Sequence, residues 1–85
     1  MAKLRCFSVD VMDLWFWSND HEPPHFHAKR KGEWEVAVRF LEREENIFEI
    51  KWQKKPFSSH DRKALLQRVT EHRAELLQEW ESIHP

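Results

Sequence analysis

Between residues 26 and 40 the apolar side chains, Ala37 apart, fall on even positions and most polar ones on odd positions. Phe26, Ala28, Trp34, Val36, Val38 and Phe40 form one set, and His25, His27, Lys29, Glu33, Glu35 and Arg39 the other. A period of two is the signature of a strand with one greasy face. The single glycine, Gly32, divides the run and predicts a hairpin. With Arg30-Lys31-Gly32 as a three-residue loop, Gly32 takes the left-handed position of a type I turn with a bulge. That register sets His27 opposite Glu35, Phe26 opposite Val36 and His25 opposite Ala37. A two-residue loop at Lys31-Gly32 would mix the histidines with Trp34 and Val36, so the first register is preferred.

The same reading extends outward. Phe7, Val9 and Val11 alternate with Ser8 and Asp10 and predict a strand. Leu14 to Trp17 reads as a second, apolar on both faces and therefore covered on both sides or part of a partner surface. Ile47 to Trp52 supplies another, ended near Pro56. Ser58 followed by Asp61 is a capping-box pattern. Beyond it Leu65, Val69, Leu76, Trp80 and Ile83 recur at helical spacing, predicting one helix of about six turns across the apolar face. The expected fold is α+β: an antiparallel sheet of four or five strands with one long C-terminal helix, all within a single domain spanning residues 1–85.

Composition narrows the function classes. A chain of 85 residues has a thin stability margin, which five Trp and six Phe partly offset. Thin stability and many aromatics make self-association, as a homodimer, an expectation. The net charge of −1 gives no overall footprint for nucleic acid, so RNA contact would rely on local clusters such as Lys29-Arg30-Lys31. One cysteine excludes an internal disulfide and fits a reducing, cytoplasmic setting. Asp10 and Asp13 interrupt the N-terminal apolar run, which reads as neither signal peptide nor membrane span.

Three of the six histidines lie in "NDHEPPHFHAKRKGE", residues 19–33. Pro23 and Pro24 stiffen the lead-in. His25 and His27, two apart on a strand, project from one face and can share a metal ion. His21 or a carboxylate would complete the set, with Asp20, Glu22 and Glu35 at hand as ligand or orienter. The candidate cofactor is a divalent transition metal such as zinc. A metal-free reading uses the same atoms: His25 and His27 as general acid and base, with Lys29, Arg30 and Arg39 holding a phosphodiester. The plainer alternative is a set of surface histidines beside a charged hairpin tip. His72 falls at the edge of the helical stripe, where it either lines the core rim or reaches the loop histidines. Cys6 reads as packing rather than nucleophile, and Trp15 and Trp17 as core or interface.

The aromatic strand, "DHEPPHFHA" and the helical "EHRAELLQEW" together resemble the prokaryotic family catalogued as domain of unknown function 4160. The likeness runs from about Leu14 to Trp80 and is carried by Asp20, His21, Pro23, Pro24, His25, Phe26 and His27, then His72, Glu75, Leu76 and Trp80. Glu22, the stretch Arg43 to Asn46, and "KKPFSSHD" depart from the family pattern. The resemblance implies a bacterial or archaeal protein without an assigned activity. It also implies a small protein partner encoded nearby, in a toxin–antitoxin-like arrangement. The leading expectation is such a component, with a metal- or phosphate-binding site of His21, His25 and His27 aided by His72, Glu35, Lys29 and Arg30. The competing one is a non-catalytic protein-binding module that uses the aromatic strand and the Pro-Pro-His loop.

Overall fold

The computed structural model describes residues 1–85. Five strands run in chain order, each antiparallel to the next: β1 (Ala2–Lys3), β2 (Asp13–Phe16), β3 (Phe26–Arg30), β4 (Trp34–Val38) and β5 (Phe48–Gln53). One helix, α1 (Ser59–Ile83), follows and lies on one face of this meander. The even-numbered apolar set is the inner face. Phe26, Trp34, Val36, Val38 and Phe40 are fully buried and share one core cluster with Leu65, Val69, Leu76 and Trp80 of α1. The α+β architecture expected from periodicity is therefore the one observed. No helix of the protein is long and apolar enough to cross a membrane.

Two expectations are corrected. Phe7, Val9 and Val11 do not form a strand: only Ala2–Lys3 pairs with β2, and residues 4–12 are irregular. Val11 stands at the turn with φ 60° and is 70% exposed, so a strand there would present Val11 to water. Phe7 still reaches the core, edge-on to Phe26 at 6.0 Å. The segment is tied down by α1, where Glu79 accepts the Arg5 and Cys6 N–H groups, each at 2.9 Å.

The hairpin register is the second correction. Phe26 pairs with Val38, His27 with Ala37, Lys29 with Glu35 and Arg30 with Trp34. The loop is Lys31-Gly32-Glu33, one residue later than expected, and that moves every pairing by two. Even positions still meet even positions, so the division into greasy and polar faces survives. Gly32 does adopt a positive φ of 78°, in a turn closed by the Glu33 N–H on the Arg30 carbonyl at 2.9 Å.

The start of α1 follows the sequence signal. The Ser58 hydroxyl accepts the Asp61 N–H at 3.2 Å. Asp61 does not reach back to complete the box. Its carboxylate instead takes Arg30 Nη1 on both oxygens, each at 3.1 Å, joining the end of β3 to the helix N-terminus. Twenty-five residues make about seven turns rather than six. The helix bends at His72, whose φ of −126° is non-helical. Thr70 bonds back to the Leu66 carbonyl at 2.9 Å just before it, a contact that bends helices.

Candidate metal centre

After β2 the chain turns tightly, with the Asp20 N–H on the Trp17 carbonyl at 3.3 Å, and returns through Pro23-Pro24 to β3. This short excursion sets a carboxylate at its start against two imidazoles at its end. Asp20 Oδ2 lies 2.8 Å from His27 Nε2 and 3.2 Å from His25 Nε2. One donor atom from each residue falls within 4.8 Å of the others. The two rings sit edge to face with centroids 5.1 Å apart.

The expectation that both rings project from the polar strand face is corrected in part. His27 is only 6% exposed, stacked on Trp15 at 5.5 Å and 20°. His25, just ahead of β3, is half-buried and lies 5.6 Å from the Trp80 ring. Aromatic walls therefore shield both imidazoles without separating them.

The hydrogen bonds set the tautomers. His25 Nδ1 is 2.8 Å from the Pro23 carbonyl, which can only accept, so Nδ1 carries the proton. In a neutral ring Nε2 is then a lone pair, and it faces the Asp20 carboxylate at 3.2 Å. Two electron-rich atoms so placed need a cation between them, either a proton or a metal ion. His27 has the opposite deficit. Its Nδ1 is buried without a hydrogen-bond partner, 3.9 Å from Glu35 Oε2, too long for a direct bond. Its Nε2 lies 2.8 Å from Asp20 Oδ2, which can only accept, so in the metal-free protein Nε2 carries the proton; an ion bound at Asp20 would take that proton's place and leave Nδ1, beside Glu35, as the N–H. Trp15 Nε1, in the cross-strand neighbour of His27, is likewise buried and unpartnered.

Two imidazole nitrogens and one carboxylate oxygen form a donor set suited to zinc, iron or manganese. With metal–ligand bonds of about 2.1 Å, adjacent octahedral ligands stand roughly 3.0 Å apart and tetrahedral ones roughly 3.4 Å. The two imidazole–carboxylate distances, 2.8 and 3.2 Å, bracket the first value, and the two ring nitrogens lie within 4.8 Å of one another. The Pro23 carbonyl is an orienting group of the kind such ligands have, and Glu35 places a negative charge 3.9 Å from the other ring.

The remaining predicted residues separate from this cluster. His21 is exposed and lines a neighbouring cleft with His25 rather than joining the donors. Lys29 Nζ lies over the Trp15 ring at 5.7 Å. Arg30 is bound to Asp61 and to Glu33, the latter at 3.5 Å, so it ties structure together. His72 stacks on Phe7 at 5.3 Å and bonds Glu75 at 2.8 Å, at the core rim rather than with the loop histidines. Cys6 is no nucleophile. Burial, the Glu79 hydrogen bond and the Glu79 and Glu75 charges push its thiol up to about 12.

As a ligand, Asp20 is in the sequence only one of several available carboxylates. Nothing in a linear motif says which acid a loop folds back onto its histidines. A family model described as Domain of unknown function (DUF4160) matches residues 12–81, a span holding β2 to β5, the loop and most of α1. No curated protein and no solved structure matches the chain.

Proposed function

Because the chain belongs to the DUF4160 family, whose description assigns no activity, its function is to be read from the site, and we propose that it is a metal-binding domain. Asp20, His25 and His27 hold one divalent transition ion through Oδ2 and two Nε2 atoms. The observation that carries this reading is the convergence of His25 Nε2 and His27 Nε2 on Asp20 Oδ2, with the Pro23 carbonyl holding the His25 ring in place. Three protein ligands leave coordination positions open, which is the condition for activating water or binding a small substrate. His21, first expected as a ligand, has no part in the set. As part of the same proposal, the protein works in the cytoplasm beside a small protein partner in a toxin–antitoxin-like role.

The test is isothermal titration of chelator-treated protein with zinc and manganese, followed by elemental analysis. One ion per chain is expected, with affinity lowered at least tenfold in His25→Ala, His27→Ala and Asp20→Asn, and unchanged in His21→Ala. Folded wild-type protein that takes up neither ion refutes the proposal. So does equal affinity in Asp20→Asn.

A further inference from the structure

Beside the three donors, the helix-free face of the sheet carries a cleft of about 240 Å³. Its floor is Ala37, which pairs with His27 on one side and Glu49 on the other, so one row across the sheet reads His27, Ala37, Glu49. A methyl group between larger neighbours makes the depression. His21, Glu22, Pro23 and His25 line it from the loop side, where the exposed Glu22 adds a second carboxylate to that of Glu49. Arg39, Glu49 and Lys51 line the other side.

We infer that this cleft binds a phosphate group through Arg39 and Lys51, with the Glu49 carboxylate holding both cations until the ligand displaces it. Arg39 Nη2 pairs with Glu49 Oε1, and Lys51 Nζ stands 3.3 Å from Glu49 Oε2. One carboxylate therefore serves two cations, each oxygen taking one, in the way that two oxygens of a phosphate would. These side chains are 33%, 42% and 40% exposed for Arg39, Glu49 and Lys51, so their pairing is screened by water. Exposed pairs of this kind hold weakly, and a phosphate dianion making charge-assisted bonds to the same two groups competes well. His21 lines the cleft from the loop side. The volume falls below that of most small-molecule sites and admits a phosphate with a short substituent. Arg39 was expected among phosphate-holding residues, but its companions are Lys51 and His21, whereas Lys29 and Arg30 are occupied elsewhere.

This inference does not depend on the metal proposal, and its test uses metal-free protein. Chelator-treated full-length chain is titrated with inorganic phosphate, and amide resonances are followed by NMR. Glycerol phosphate and dimethyl phosphate form two further arms that separate monoester from diester sources. Saturable shifts are expected at Ala37, Arg39, Glu49 and Lys51, with the monoester favoured over the diester. Arg39→Gln and Lys51→Gln should each weaken binding at least fivefold. Glu49→Gln should tighten it about two- to fivefold, the equivalent of releasing exposed ion pairs. Lys54→Gln, an exposed lysine just past the end of β5 and outside the cleft, should change nothing. Unsaturable shifts overturn the inference, as do unchanged affinity in Arg39→Gln or an equal loss in Lys54→Gln. The four substituted positions are partly or fully exposed, and the dispersed amide spectrum of each variant reports its fold in the same experiment.

Discussion

Arg30 and Asp61 give the sharpest energetic prediction, because the two ends of their ion pair differ in burial. The Asp61 side chain is 9% exposed and that of Arg30 is 30% exposed. Removing the arginine with Arg30→Met leaves a carboxylate inside the protein with no cationic partner. Breaking a fully buried pair costs about 3–5 kcal/mol, and the partial exposure of Arg30 lowers this to about 2–3 kcal/mol. Asp61→Asn leaves a guanidinium that can turn to water and to Glu33, so about 1–1.5 kcal/mol is expected. Part of that loss is the charge Asp61 contributes at the helix N-terminus. The order matters more than the values: the arginine variant is the less stable of the two. A domain of this size shifts by about 4–8 °C per kcal/mol, so Arg30→Met should melt roughly 10–20 °C below wild type. Urea unfolding of both single variants and the double variant completes the cycle, with a coupling of at least about 1 kcal/mol expected. Equal stabilities for the two single variants, or a coupling below about 0.3 kcal/mol, would refute the reasoning. Metal and phosphate binding at 20 °C should be unchanged in each folded variant, which separates this pair from the site.

Other outcomes follow from the same coordinates. Val11→Gly should stabilise the fold by about 1 kcal/mol in urea unfolding, since an exposed β-branched residue at φ 60° is strained and glycine is not; no gain would show that the turn is not held in that conformation. Leu65→Ala, at a fully buried position facing the sheet, should cost about 2–5 kcal/mol, and a loss under 1 kcal/mol would place α1 elsewhere. The Cys6 thiol ionises near 9 when unfolded and about 12 when folded, so its contribution to stability is complete below pH 9 and is lost as pH rises from there toward 12. Iodoacetamide at pH 9 should accordingly modify native protein much more slowly than urea-unfolded protein, and equal rates would contradict the buried, acid-flanked setting. Glu35→Gln should weaken zinc binding several-fold without abolishing it, because the Glu35 charge stands 3.9 Å from His27 Nδ1 and does not ligate; an unchanged affinity would remove it from the site.

What the chain's own order determined is the set of properties that depend on spacing alone. A period of two between residues 26 and 40 assigned Phe26, Ala28, Trp34, Val36 and Val38 to the core, and a two-residue change of register could not disturb it. Helical spacing picked Leu65, Val69, Leu76 and Trp80, and Ser58 marked the cap. The histidine loop, too, was visible as a motif. Where the local pattern was short, as at Phe7 to Val11, alternation misled: Phe7 is held by α1 and Phe26, contacts that no window of eleven residues contains. Only the tertiary structure chose Asp20 over His21 as companion to His25 and His27. It alone sank His27 against Trp15, drew Arg30 away to Asp61, and brought Ala37, Glu49 and Lys51 into one cleft. The physical reason is that periodicity says which way a side chain points, whereas a site depends on what another segment brings to meet it.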